Sequence, residues 1–230
     1  MLKQFLPLEF RRKSLLKKVP DGALKTFYQT PFPSASQACH DVEYISLDFE
    51  TTGLDKKNDE ILSAGYVGLS GLEIRLDTAR HQLVKPDKGI SEQSIIIHNI
   101  THEQADAGSS VKAMLDTLLN CLAGKVLIAH HASVEMGFLK QACQAVYATD
   151  WLIPVIDTQE LAMTYRQKRN ITFTSGAMRL AALREHYHLP RYKAHNALTD
   201  ALATAELFLA LLSERDINCQ LPLRAVLCRY

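Results

Sequence analysis

The ten residues from Tyr44 to Gly53, Tyr-Ile-Ser-Leu-Asp-Phe-Glu-Thr-Thr-Gly, constrain the fold more than any other stretch. Ile45, Leu47 and Phe49 alternate with Ser46, Asp48 and Glu50. Period-two alternation predicts a strand whose successive side chains fall on opposite faces. One face is apolar and buries, and the other sets Asp48 and Glu50 side by side. Thr51-Thr52-Gly53 then breaks the strand with turn chemistry. Two neighbouring carboxylates repel unless a positive charge lies between them, and hard oxygen ligands suit Mg²⁺ or Mn²⁺. A half-exposed strand with a solvated acidic face would give the same pattern, so this stretch alone leaves both readings open.

The strand pattern continues. Glu60–Leu69 and Gly71–Val84 read as two more strands, and Ser70-Gly71 between them is a hairpin signal. Three strands on short turns imply an antiparallel meander. Residues 86–94 read as a loop. Thr101 and Gln104 have capping-box spacing, and Val111, Met114, Leu115, Leu118, Leu119 and Leu122 form one apolar helical stripe. Val126–Ala129 and Ile153–Ile156 are short apolar runs that read as buried strands. Helices are expected from Ser133 to about Tyr147, from Asp157 or Thr158 to about Arg169, over about Ala177–Tyr187 before Pro190, and over about Ala197–Leu212. This order predicts an α/β fold with a mixed sheet.

The remaining segments are less defined. Residues 1–42 read as a basic extension and linker, 43–212 as the main domain and 213–230 as a tail. In residues 1–20, Leu8, Leu15, Leu16 and Val19 make a weak apolar stripe among Arg and Lys, either a solvated arm packed on the domain or a phosphate-contacting patch. Residues 28–40 are expected to run over the surface. The full chain has a net charge of +1, so no global basic field demands nucleic acid, but residues 1–27 carry seven Lys and Arg against Glu9 and Asp21. Five cysteines without C-x-x-C spacing read as free thiols in a reducing compartment. With no signal-peptide pattern and no 18-residue apolar span, a cytoplasmic protein without a membrane crossing is expected.

Two further acids sit where apolar residues belong. Glu135 shares a helical face with Phe138, Leu139 and Ala142, and Asp200 shares one with Ala203, Thr204, Leu207 and Leu211. An unpaired carboxylate buried there costs roughly several kcal/mol, so each wants a cation, donors or a helix end. Four inward acids from three elements suggest a two-metal cluster. His195 lies five residues before Asp200, and two helical residues at that spacing cannot share a face. It is therefore expected on the loop leading into the helix, reaching over its end, where it could take a proton from an attacking water. His98 and His102 have H-x₃-H spacing, but no other ligand cluster is near in sequence, so a structural zinc is not expected.

These residues carry a family resemblance. Leu47-Asp48-Phe49-Glu50-Thr51-Thr52-Gly53-Leu54-Asp55 resembles the first motif of the DEDDh 3′–5′ exonucleases, the superfamily of the proofreading epsilon subunit of bacterial replicative polymerase, oligoribonuclease and RNase T. The segment Ile128-Ala129-His130-His131-Ala132-Ser133-Val134-Glu135-Met136-Gly137-Phe138-Leu139 resembles the second motif, and His195-Asn196-Ala197-Leu198-Thr199-Asp200-Ala201 the third. Ile97-His98-Asn99-Ile100-Thr101 is similar to the family's His-Gly-Ile-Thr segment. The resemblance implies a ribonuclease-H-like fold, a mixed five-stranded sheet flanked by helices. It implies that Asp48, Glu50 and Asp200, completed by Glu135, bind two Mg²⁺ or Mn²⁺ ions, with His195 as general base. One ion would help to generate hydroxide and the other would stabilise the leaving 3′ oxygen. Nucleoside 5′-monophosphates would be released from 3′ ends, preferably single-stranded. Thr51, Thr52 and Leu54, with His98, would hold the terminal nucleotide, and a DNA polymerase subunit is an implied partner.

Three positions depart from the family pattern: Glu135 replaces the usual Asp, His131 an Asn, and Asn99 a Gly. Some members of the superfamily carry Glu at the first of these. The extra methylene shifts the carboxylate by about one C–C bond. Two alternatives remain at this level. One is an exonuclease acting on RNA or short oligonucleotides. The other is a catalytically weak subunit that binds nucleic acid or a polymerase.

Overall fold

The computed structural model describes residues 7–98, 100–174, 176–216 and 218–228. A five-stranded mixed sheet is built from β1 (Glu43–Thr51), β2 (Ile61–Ser70), β3 (Glu73–Leu83), β4 (Val126–Ala129) and β5 (Val155–Asp157), in the order β3-β2-β1-β4-β5. β1 is central, antiparallel to β2 and parallel to β4. The β1–β2 register shifts between Glu50 and Thr51, at the point where the acidic strand ends. Such a bulge re-aims the side chains beside it.

The helices are α1 (Leu8–Leu16), α2 (Ala23–Gln29), α3 (Glu92–His98), α4 (His102–Asp106), α5 (Val111–Leu122), α6 (Ser133–Tyr147), α7 (Thr158–Lys168), α8 (Leu180–His186) and α9 (Ala197–Ser213). They cover both faces of the sheet. Ile45, Leu47 and Phe49 pack with the stripe of α5, with α6 and with Leu24, Phe27 and Tyr28 of α2. The opposite face carries Tyr44, Val67, Val126, Ile128 and Ile156 against Leu207, Phe208 and Leu211 of α9. The acidic face of β1 is therefore not solvated but roofed by α9, with Ser46 Oγ donating to the Ala201 carbonyl at 2.7 Å.

Several expectations change in detail. Glu92–His98 is helical although it contains three consecutive isoleucines and begins inside the expected loop. Thr101 and Gln104 do form a capping box, but on the short α4, while Ser110 caps α5. Residues 28–40 do not simply run over the surface: Tyr28 and Cys39 are fully buried. Leu8, Leu15 and Leu16 pack against the core, and Val19 is part of it. Residues 35–39 are bonded to residues 221–224 through Cys39 N–H to Leu221 O at 2.9 Å, Leu223 N–H to Gln37 O at 2.8 Å and Arg224 N–H to Ala35 O at 2.9 Å. No helix among the described residues is long and apolar enough to cross a membrane.

Candidate active site

A cavity of about 650 Å³ opens at the C-terminal end of β1, lined among others by Asp48, Glu50, Thr51, Thr52, Leu54, His98, Glu135, His195 and Asp200. All nine residues singled out in the sequence thus meet at one place. β1 supplies Asp48 and Glu50, α6 supplies Glu135 from its first turn, and α9 supplies Asp200 from its own. One ligand oxygen each from Asp48, Glu50 and Asp200 lies within 4.8 Å of the others.

The electrostatics of this cluster are unfavourable without a cation. Burial, followed by the charges of Glu135, Glu50 and Asp200, holds the Asp48 carboxyl well above the usual carboxylate range. Burial and then Asp200 push Glu50 up to about 8. Burial also raises Glu135 and Asp200, the latter opposed by the His195 N–H. Glu50 Oε1 and Glu135 Oε2 are buried with no hydrogen-bond partner among the described residues. Unsatisfied hard oxygens crowded into one pocket fit a divalent cation.

His195 lies on the loop before α9, as its spacing to Asp200 requires. Its backbone is left-handed, φ 68°, and its N–H donates to Asp200 Oδ2 at 2.9 Å. Its ring meets His98 edge-on with centroids 6.5 Å apart. His98 Nδ1 contacts Glu50 Oε2, and burial lowers the His98 pKa, with His195 adding to the effect. Asn99, one of the departures from the family pattern, lies outside the described residues.

The loop after β1 is held by a residue without a sequence signal. Asp59 accepts from Thr52 Oγ1 at 2.9 Å and from the Asp55 N–H at 2.8 Å. Thr51 Oγ1 donates to Gly53 O at 2.7 Å, so both threonine hydroxyls are engaged within the loop. Leu54 lines the cavity and is 78% exposed, and Ile97 lines it too. Lys56 from the same loop lies along α6 at Gly137, where its Cδ would be 2.1 Å from an added Cβ. Its ammonium opposes the rise in the Glu135 pKa.

Ile97, Ser94 and His130 also line the cavity and were not singled out in the sequence. His130 is neutral, its pKa pushed down to about 4 by burial. Its ring bridges Thr158 Oγ1 at 2.8 Å and the Met178 carbonyl at 3.0 Å. A carbonyl only accepts, so Nε2 carries the proton and Nδ1 accepts from Thr158.

Residues 45–208 match the model of the RNase T exonuclease family. The chain belongs to this family. The DEDDh-type resemblance of the three motifs is thereby shown, as is the mixed five-stranded fold. That family is one of exonucleases, so the chain is placed among the nucleases, which are hydrolases. It is 36% identical over 169 residues to the PolC-type DNA polymerase III of Thermotoga maritima, a match covering 74% of this chain and 12% of the polymerase. To the PolC-type enzyme of Oceanobacillus iheyensis it is 29% identical over 198 residues, covering 84% and 13%. The chain thus spans about an eighth of the length of the curated relatives it matches. Among solved structures, the nuclease domain of 3′hExo, a DEDDh family member bound to rAMP, superposes with a TM-score of 0.66 at 16% identity, covering 80% of this chain and 97% of that domain. Exonuclease X in complex with 5′-overhanging duplex DNA gives a TM-score of 0.57 at 23% identity, covering 76% and 92%.

Proposed function

We propose that this chain is a 3′–5′ exonuclease that removes nucleoside 5′-monophosphates from single-stranded or frayed DNA ends, in the service of a replicative polymerase. The observation that carries this reading is the convergence of the Asp48, Glu50 and Asp200 oxygens within 4.8 Å in a cavity also lined by Glu135 and His195. The PolC-type relatives favour DNA and a polymerase partner. Asp48, Glu50 and Asp200, with Glu135, would hold two Mg²⁺ or Mn²⁺ ions. When bound, these ions would activate water and neutralise charge on the leaving oxygen.

The chain's own residues do the rest. In this reading the exposed apolar side chains of Leu54 and Ile97, which both line the cavity, pack on the terminal base, while the backbone of the Thr51–Thr52 turn carries its sugar. His195 takes the proton of the attacking water. Its left-handed backbone and its N–H bond to Asp200 fix the ring at the cavity edge. His98, its pKa lowered by burial, contacts Glu50 through Nδ1 and orients it. Residues 43–212 form the catalytic unit in this reading, and Leu8, Leu15, Leu16 and Val19 on one flank and Leu223 and Val226 on the other pack with its core.

The test uses 5′-labelled single-stranded DNA and its RNA twin with Mg²⁺ or Mn²⁺, an EDTA control and His195→Ala. A ladder shrinking from the 3′ end, absent in EDTA and slowed roughly 10²-fold or more in the variant, is expected. DNA is expected to be the better substrate. Release of the label as a mononucleotide, or no shortening by folded protein with either metal, would overturn the reading.

A further inference from the structure

An exonuclease must also hold the strand it is shortening, and two independent features locate that strand. The first is the direction of the chemistry. In-line displacement at phosphorus sets the attacking and leaving oxygens on opposite sides. His195 stands on the β2–β3 side of β1. The start of α9 crosses β2 there, with the Leu198 nitrogen 2.0 Å from where a Gly65 Cβ would lie. His195 and His98 also share a second cavity with Ser63 of β2 and His81 of β3. His130 directly follows β4, on the other side of β1, and lines the active cavity. With the base on the β2–β3 side, the leaving 3′ oxygen and the strand attached to it depart across His130.

The second feature is what lies beyond His130. Its ring holds the Met178 carbonyl, and Gln159 Nε2 donates to the same oxygen at 3.2 Å. This fixes the end of the α7–α8 connection against the cavity wall. The sequence between Glu160 and Glu185 contains five Arg or Lys and no carboxylate, in a chain of net charge +1. Two of the five are engaged. Arg184 is buried on Glu206 at 2.7 Å, and Arg169 pairs with Glu214 at 3.4 Å. Arg166, Lys168 and Arg179 make no ion pair among the described residues. Between them, Ile171 is 46% and Phe173 37% exposed. Cations interleaved with an exposed aromatic form the combination that tracks a single strand, phosphates on the cations and a base on the ring.

We propose that the single strand 5′ to the scissile bond runs over the α7–α8 connection, with its phosphates on Lys168 and Arg179 and a base stacked on Phe173. This rests on the 3′–5′ exonuclease reading, which supplies the direction of departure, and it assigns the connection as the surface that sets affinity for long substrates.

The test compares wild type with Lys168→Ala/Arg179→Ala and with Phe173→Ala, each checked for an unchanged Tm. One substrate is the p-nitrophenyl ester of thymidine 5′-monophosphate, which carries no upstream strand. The other is a twenty-nucleotide oligo(dT), also used for binding by fluorescence anisotropy in EDTA across a salt series. Ester hydrolysis is expected to stay within about twofold. KM and Kd for the oligonucleotide should rise roughly tenfold in Phe173→Ala and be restored by Phe173→Tyr. The double variant should flatten the salt slope of binding by about 1.4, or roughly 0.7 for each lost phosphate contact. Unchanged oligonucleotide binding and salt slope in both variants would overturn the proposal. A wild-type protein that binds oligo(dT) but cleaves neither substrate would strike the nuclease reading instead, and the binding arm would still decide the track.

Discussion

His195 shows how a single residue is fixed by its backbone. A left-handed conformation costs a non-glycine residue about 1–2 kcal/mol, yet here it lets one residue both cap Asp200 through its N–H and present its ring to the cavity. His195→Gly is therefore expected to keep or slightly raise Tm, because glycine adopts φ 68° without strain. It should lower kcat roughly 10²–10⁴-fold through loss of the imidazole. Thermal melts and single-turnover rates on one preparation check both halves. The acids that converge on the cavity were legible in the sequence because a carboxylate on an apolar helical face is conspicuous, as at Glu135 and Asp200. Asp59 was not legible. It lies in a polar loop where an acid is unremarkable, and only the folded turn shows it binding Thr52 and Asp55.

At the scale of elements, the site depends on how closely α9 lies on β2. An added Cβ on Gly65 would stand 2.0 Å from the Leu198 nitrogen and 2.1 Å from the Ala197 carbonyl carbon, both backbone atoms that cannot rotate away. Gly65→Ala is expected to lift the start of α9, cost about 1–3 kcal/mol, and reduce activity roughly 10²-fold through a shift of Asp200 and His195. Denaturant melts and nuclease assays measure these. A fall in stability without a fall in activity would refute this dependence of Asp200 and His195 on the seating of α9. Periodicity together with helix-start signals was enough to find β1 to β4, α5, α6, α7 and α9, because their apolar stripes, alternations or caps are long or sharply bounded. It missed α3, where the β-branched run Ile95-Ile96-Ile97 reads against a helix. The packing role of Gly65 was invisible for a different reason: a glycine within an apolar strand carries no mark of what lies above it.

For the whole molecule, the crowded carboxylates link stability to pH and to metal. Glu50 has an ordinary value of 4.5 and is held at about 8 in the fold. Between those values the folded state binds more protons than the unfolded one, so the stability of the metal-free protein falls as pH rises through this window and levels off above it. In EDTA, Tm is expected to drop by several degrees from pH 5 to pH 8, a slope that Mn²⁺ flattens. Asp48→Asn should raise the metal-free Tm at pH 8 while abolishing cleavage, since it removes one of the repelling charges together with a ligand. A metal-free Tm that rises with pH would refute the repulsion. The way the two flanks of the fold are joined was beyond any local pattern, since it pairs residues nearly two hundred positions apart. Its consequence is mechanical. Tension applied to the chain at residues 34 and 225 is borne first by the hydrogen bonds clasping 35–39 to 221–224. β1, α6 and α9, which carry the carboxylates, lie inside that clasp. The site is therefore shielded from pulling forces, and its geometry should hold until the clasp opens.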